Sequence, residues 1–301
     1  MHTVIAGLPG VRLTMPHVLG SDAAGIVDSV GPGVTRFAPG DRVLLNPLVS
    51  CGVCEFCIQG QQSLCVKVGI LGEHQSGAFA EYFLAPEANL ELIPDQIGFE
   101  QAAAFSLVFQ TAWRMLISRG RLRAGEDILI HGAGSGVSTA SIQIAKHSGA
   151  RVFVTSSSDE KLESARRLGA DFAYNYGSQN VVESVMQDTG KRGVDVVVDS
   201  VGSATWGQSL RAVRRGGRVL TCGATTGPNP PAEIHFIFWK QLELIGSTMS
   251  SRSEHREVVR LLGAGKLTPV IDRVFPLERG REALEYLQQG KQFGKVVLEV
   301  R

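Results

Sequence analysis

Four of the five cysteines fall within one short stretch, as Cys51-x2-Cys54-x2-Cys57-x7-Cys65. Thiolates two residues apart on a tight turn can converge on one ion without strain, and zinc takes four soft ligands in a tetrahedron. Gly52 and Gly60 give the loop the freedom to fold back. Four thiolates leave zinc no open position, so the spacing predicts one structural zinc per chain and not a reactive one. An iron–sulfur cluster is the competing metal reading of the same four thiolates, and a metal-free lobe is the third. The chain begins Met1-His2-Thr3-Val4, with neither a basic nor an apolar leader, which favours metal binding over disulfides. Cys222 follows the apolar Val219-Leu220 and reads as a small buried residue at a strand end.

The second chemical signal is His131-Gly132-Ala133-Gly134-Ser135-Gly136-Val137-Ser138, which follows a strand-like run and opens a helical one. It starts as a dinucleotide fingerprint does, but Val137 occupies the place of the closing glycine. The small residues Gly134, Ser135, Gly136 and Ser138 still let backbone amides and a helix N-terminus approach a pyrophosphate; a plain tight turn is the alternative. About twenty residues on, an NAD site would place a carboxylate on the adenosine ribose. Here the zone reads Thr155-Ser156-Ser157-Ser158. A carboxylate about 4 Å from a 2′-phosphate costs on the order of 1–4 kcal/mol, so hydroxyls in its place favour NADP over NAD. Lys161, one turn into the next helix, is placed to pair with that phosphate, or else is a solvated helix lysine.

These residues need a scaffold. From Val18 to about Leu92 the sequence is rich in Gly and Pro, with short β-type runs at Gly25-Ile26-Val27, Arg42 to Leu45 and Ala80-Glu81-Tyr82-Phe83-Leu84. From about Gly125, apolar runs alternate with amphipathic stretches: Ile128 to Ile130, Arg151 to Val154, Val194 to Val198, Arg218 to Leu220 and Leu242 to Ile245. Strands alternating with helices predict an α/β fold with a doubly wound parallel sheet. Val137, Ala140, Ile144 and Ala145 fall at helical spacing, Ser158 suits an N-cap, and Gly169 suits a C-cap. Asp272 to Leu277 and Lys295 to Val300 read as strands around a helix containing Ala283, Leu284 and Leu287, a segment expected to return to the first domain.

The 301 residues, 44% hydrophobic, suffice for two domains, and a formal net charge of +1 supplies no field to steer nucleic acid or an anionic membrane. No apolar run approaches a bilayer span. A cytoplasmic protein acting on a small molecule is expected.

With both motifs in one chain, the sequence resembles the medium-chain dehydrogenase/reductase superfamily, specifically its quinone oxidoreductase-like and zinc-binding alcohol dehydrogenase-like members. The resemblance runs from about Pro16 to Arg301. It is carried by Pro16 to Gly25, Pro39-Gly40-Asp41-Arg42-Val43, the cysteine lobe, Gly77-Ala78-Phe79-Ala80-Glu81-Tyr82, Thr111-Ala112-Trp113 and Phe293-Gly294-Lys295-Val296-Val297-Leu298. It implies a GroES-like substrate domain over residues 1–105 with the zinc lobe at 51–65, a Rossmann domain over 106–248, and a return segment over 249–301. It sets Ser156 at the ribose-reading position and adds Tyr176 as a 2′-phosphate partner. It also implies Thr111 against the nicotinamide, and Gly223, Ala224, Thr248 and Phe293 in segments that line the cofactor. A homodimer follows by analogy, through the last Rossmann strand, Leu242 to Thr248.

Three departures shape the expected chemistry. Where metal-dependent alcohol dehydrogenases carry Gly-His-Glu, this chain has Gly20-Ser21-Asp22, and a second family zinc ligand matches Leu107. Neither Ser21 nor Leu107 suits zinc. Met1 to Leu13 joins the family pattern partway, so the expectation is a short, cut or misassigned start that weakens the substrate cleft. The function implied is NADPH-dependent hydride transfer to a quinone, enone or enoyl thioester without catalytic zinc. The alternatives are an alcohol or aldehyde dehydrogenase with atypical ligands and a non-catalytic NADPH-binding protein. No catalytic side chain is assigned from sequence; His74 is the nearest candidate ligand or acid, with a surface-loop histidine as the plainer reading, and Arg119, Arg121 and Arg123 suit either a thioester's phosphates or, more plainly, a solvated helix end.

Overall fold

The computed structural model describes residues 15–300, so the expectation about Met1 to Leu13 lies outside the described residues. Two compact units emerge, one of residues up to Gln110 with Met249 onward, the other Thr111–Thr248.

In the first unit β1 (Ala24–Ile26) pairs antiparallel with β2 (Arg42–Leu45), whose Val43, Leu44 and Leu45 are all buried. Antiparallel β3 (Leu48–Val49) and β4 (Gly69–Ile70) bracket the cysteine loop, which contains the single-turn α1 (Glu55–Ile58). β5 (Leu90–Leu92) completes the sheet beside β2. The expected strand at Ala80 to Leu84 does not form: the segment is a bend followed by irregular chain, with Tyr82 73% and Leu84 92% exposed. β-type side chains do not make a strand without a ladder partner, and none pairs with it among the described residues. Helix α2 (Phe99–Trp113) then crosses the division between the units at 110/111. The reason is packing: Ala102 sits with Leu44, Ile93 and Val259, and the Ser106 hydroxyl donates to Leu45 O at 2.5 Å, which ties the first three turns to the first unit.

The second unit opens with a π-helical turn, Arg114–Arg119. It then alternates β6 (Asp127–Ile130), α3 (Gly136–His147), β7 (Arg151–Ser156), α4 (Asp159–Arg167), β8 (Phe172–Asn175), α5 (Val181–Asp188), β9 (Val194–Val198), α6 (Trp206–Ala212), β10 (Val213–Thr221), α7 (Ile234–Lys240) and β11 (Glu243–Gly246). All six strands are parallel in the order β11-β10-β9-β6-β7-β8. This is the doubly wound sheet that the alternation predicts, with β8 a strand the sequence reading did not single out. Leu129, Phe153, Val197, Leu210 and Val219 meet in its core. Ser135 and Ser158 cap α3 and α4, their hydroxyls accepting from Ser138 N–H and Lys161 N–H.

Back in the first unit, α8 (Arg252–Gly263) starts with a capping box between Ser251 and Glu254. β12 (Ile271–Pro276), α9 (Gly280–Gln288) and β13 (Lys295–Glu299) follow, the two strands pairing in parallel. Among the described residues no helix is long and apolar enough to cross a membrane.

Candidate metal and cofactor sites

Folding brings the four Sγ atoms of Cys51, Cys54, Cys57 and Cys65 within 4.8 Å of one another. Cys51 and Cys57 stand 4.0 Å apart, close to the edge of about 3.8 Å that a tetrahedron with zinc–sulfur bonds of about 2.3 Å requires. Gly52 and Gly60, with φ of 76° and 75°, make the two reversals that bring them together. Backbone amides already face the sulfurs: Cys65 Sγ accepts from Cys51 N–H and Lys67 N–H, each at 3.3 Å. The amides of Val66 and Cys57 hold the Cys54 thiol down to about 6, while burial pushes Cys57 up to about 11. The donor set fits one structural zinc. Among the described residues no other group of three or more His, Cys, Asp or Glu side chains converges in this way.

A reactive zinc does not fit. Ser21 and Leu107 offer no soft ligand, and the carboxylate of Asp22, next to Ser21 in the chain, is already engaged. Asp22 Oδ1 accepts from Leu107 N–H at 2.8 Å, and Asp22 Oδ2 pairs with Lys295 Nζ at 2.7 Å. The ammonium neutralises the charge that a cation would need. His74 is exposed, and its Nδ1 accepts from Ile70 N–H at 3.2 Å within its own turn.

In the second unit the glycine turn joins β6 to α3, beside the point where the chain leaves β6 toward β7 on one side and returns as β9 on the other. In open α/β sheets, ligands bind outside the carboxyl ends of the strands at such a switch point. Gly132 takes φ of 71° to make the turn. Gly134 is buried, Ser135 is the N-cap, and Gly136 and Val137 open the helix. Ser138 is 1% exposed and donates to His131 O at 3.1 Å, clamping the helix start onto the strand end. Ser156 ends β7; its hydroxyl accepts from Ser158 N–H at 3.2 Å and its carbonyl from Tyr176 N–H at 3.0 Å. Lys161 lies in the first turn of α4, and the Tyr176 side chain is 54% exposed.

Gly223 and Ala224 are exposed just past β10, and Thr248 just past β11, so all share the carboxyl edge of the sheet with the glycine turn. Thr111 is buried within α2, and Phe293 belongs to the first unit, its N–H donating to Asp272 Oδ1 at 3.0 Å. Cys222 is half-buried at the end of β10, and burial pushes its thiol up to about 11. Arg119 and Arg121 are not free: they bond Gly246 O and the Glu243 carboxylate on β11.

Three polar features escaped the sequence reading. Buried His131 meets Thr155 Oγ1 at 3.3 Å, its Nε2 has no partner, and burial lowers its pKa. Buried Asp199 accepts from Gly202 N–H, Val201 N–H, Thr205 Oγ1 and Ser209 Oγ at 2.7–3.0 Å, which fixes the loop after β9. The third is the Asp22–Lys295 pair. Lys295 opens the apolar run Val296-Val297-Leu298, but nothing in that pattern names Asp22 as its partner.

Known proteins match both units. The profile of the zinc-binding dehydrogenase domain covers residues 136–264, and that of the alcohol dehydrogenase GroES-like domain covers residues 2–95. An alcohol dehydrogenase of Geobacillus stearothermophilus is 32% identical over 96% of this chain and 85% of its own length. A crystal structure of an NAD-dependent alcohol dehydrogenase superposes with a TM-score of 0.93 at 46% identity, covering 96% of this chain and 84% of that one. The 2-octenoyl-CoA carboxylase reductase CinF, solved with NADP and 2-octenoyl-CoA, superposes at 0.86 with 30% identity, covering 94% of this chain and 68% of its own.

Proposed function

The chain belongs to the medium-chain dehydrogenase/reductase superfamily and is an oxidoreductase of that type, with a GroES-like and a Rossmann domain; from that premise we propose that it reduces a conjugated carbonyl compound with NADPH and without catalytic zinc. The observation that carries the reading is the Ser21–Leu107 locus, where neither of those two positions supplies a thiolate or imidazole and Asp22 is committed to Lys295. A conjugated acceptor suits such a site, because hydride reaches its β-carbon while charge gathers on an oxygen that hydrogen-bond donors stabilise.

The carboxyl edge of β6, β7 and β8 would hold the cofactor. Gly134, Ser135, Gly136, Val137 and Ser138 would receive the pyrophosphate on amides and the start of α3, and Ser156, Lys161 and Tyr176 would take the 2′-phosphate. Thr111, Gly223, Ala224, Thr248 and Phe293 complete the proposed set. NADPH supplies the hydride; the protein supplies position and charge. CinF, a neighbour solved with NADP and an enoyl thioester, supports both parts of the reading.

Exposed Ile234, Phe238 and Trp239 on α7, with Leu244 on edge strand β11, support a homodimer through that edge. A cytoplasmic site of action completes the proposal. Single-turnover oxidation of NADPH by a panel of quinones, enones and enoyl thioesters tests it. Turnover with at least one class is expected. Alcohol oxidation with NAD alone would overturn it, and cofactor binding without oxidation by any acceptor would favour a non-catalytic binder.

A further inference from the structure

Three arginines of the first unit line one apolar cleft. Arg36 lies in the loop before β2, and Arg256 and Arg260, four residues apart, share a face of α8. The cleft holds about 410 Å³, inside the range of roughly 300–1,000 Å³ over which proteins enclose small molecules. Phe37, Leu92, Pro94 and Val259 make its lining apolar; Phe37 and Val259 are buried, and Leu92 is 57% exposed. All of these residues belong to the first unit. Bonds outside the cleft fix its walls. Glu87 Oε1 accepts from Thr35 N–H at 2.8 Å and from Arg36 N–H at 2.5 Å, which pins the loop. Pro94 packs so closely on the end of α8 that a Cβ at Gly263 would meet its ring at 2.9 Å.

The charges around the cleft do not cancel. Arg36 meets Glu91 at 3.3 Å, and Arg260 is held by both oxygens of Glu257, at 2.7 and 3.1 Å. Arg256 is committed to neither carboxylate. Its Nε lies 3.4 Å from Arg252 O and 3.7 Å from Glu91, its two Nη groups have no protein partner among the described residues, and its side chain is 62% exposed. Three guanidiniums thus face two carboxylates. We propose that the cleft binds a small apolar monocarboxylate, its carboxylate on the Nη fork of Arg256 and an aryl or branched alkyl body against Phe37, Leu92, Pro94 and Val259. A guanidinium fork matches the two oxygens of a carboxylate. An inorganic anion would bury no carbon on the apolar lining, and a single excess positive charge suits a monoanion better than a phosphate dianion. None of the residues proposed to hold NADPH lines this cleft, so it is a second ligand site, and it stands whether or not the proposed reduction does.

Fluorine NMR titration of the full chain with para-fluorophenylacetate tests the site, beside the uncharged para-fluorophenylacetamide and with acetate as competitor. Saturable binding of the acid is expected, with the amide about tenfold weaker or more, the loss that follows when a charge-assisted hydrogen-bond pair is removed. Acetate has the charge without the apolar body, and is expected to displace the acid only at concentrations about tenfold higher or more. NADPH is expected to leave the acid in place. Arg256→Gln, at an exposed position, is expected to bring acid and amide to the same affinity, and Leu92→Asp to weaken both. Absence of saturable acid binding, equal binding of acid and amide by the unaltered protein, or displacement of the acid by NADPH would overturn the proposal. So would an acid-to-amide ratio that Arg256→Gln leaves unchanged. The ratio in the unaltered protein decides the case even where a variant fails to fold.

Discussion

Replacing Ser156 by Asp is expected to invert the cofactor preference. Ser156 closes β7, is 5% exposed, and already directs its side-chain oxygen at Ser158 N–H. An aspartate in the same direction keeps that hydrogen bond and adds a full charge at the place proposed for the ribose 2′ position. One unit charge about 4 Å from another costs on the order of 1 kcal/mol at the dielectric of water and about 4 kcal/mol at an effective constant of 20. At about 1.4 kcal/mol per decade, NADPH binding weakens roughly 5-fold at the wet limit and several hundred-fold at the sheltered one. The low exposure of the site puts the expected value in the upper half of that range. NADH has no phosphate to repel and gains a charged acceptor for its ribose hydroxyl, worth about 1.5–3 kcal/mol before the carboxylate's desolvation is subtracted. Fluorescence titration of both cofactors, at low and high salt, reads the two constants, with a thermal melt to confirm that the variant folds. Salt should shrink the NADPH penalty, since the Debye length falls from about 10 Å at 0.1 M to about 3 Å at 1 M. An NADPH constant within about twofold of the unaltered protein, or tighter NADH binding before any substitution, would refute the placement of the adenosine end.

Metal analysis is expected to give one zinc per chain, and Cys57→Ser to lose it with a lower melting temperature; two zinc ions per chain would contradict the reading of Ser21 and Leu107. Acid sensitivity should trace to the opposite edge of the parallel sheet, where Asp195 meets Arg192 and Arg214, each at 2.5 Å, and Asp127 N–H at 2.9 Å. Burial pushes the Asp195 carboxyl up, but Arg192, the Asp127 amide and Arg214 outweigh it and hold its pKa below the ordinary carboxylate value. Its contribution is therefore full above about pH 4, the unfolded value, and is lost as pH falls through the lower folded one. Asp195→Asn is expected to cost about 1–3 kcal/mol near neutrality, less than for a dry pair because both arginines reach solvent, and to flatten the acid limb. Urea melts across pH check this, and parallel curves for the two proteins would contradict it. Trp239→Asp, at a side chain 66% exposed on α7, is expected to convert a dimer to monomer in light scattering without changing the thermal melt of the protomer.

The parallel sheet was legible because its strands are apolar on both faces. Ile128 to Ile130 and Val196 to Val198 are buried to within 1%, and a run of that kind between helical stretches has few other uses. The zinc lobe was legible for a different reason: four thiolates at fixed spacing carry their own geometry. Ala80 to Leu84 misled because its composition says only that it could fill a strand, and strand formation is settled by a partner elsewhere in the chain. β8 went unread because Phe172, Ala173 and Asn175 are only partly buried and lack the apolar run of the central strands. The Asp22–Lys295 pair was invisible for the deepest reason. The two residues are 273 positions apart, and no local pattern encodes a contact at that separation.

That pair and the cysteine lobe show why one metal position can be kept while another does not suit a metal. Much of the lobe's apolar surface is not buried: Val53 is 81%, Ile58 73% and Val66 67% exposed. At about 25 cal/mol per Å² of buried apolar surface, residues that stay in water contribute little, whereas a structural zinc contributes on the order of 10 kcal/mol in small peptides. The four thiolates therefore carry the lobe's order, and losing any one should cost the ion. The Ser21–Leu107 locus is under no such demand. Its order comes from protein bonds, Asp22 to Leu107, Ser106 to Leu45 and Lys295 to Asp22, none of which needs a metal. Zinc in this protein thus argues for an ordered lobe and is by itself no argument for alcohol dehydrogenase activity.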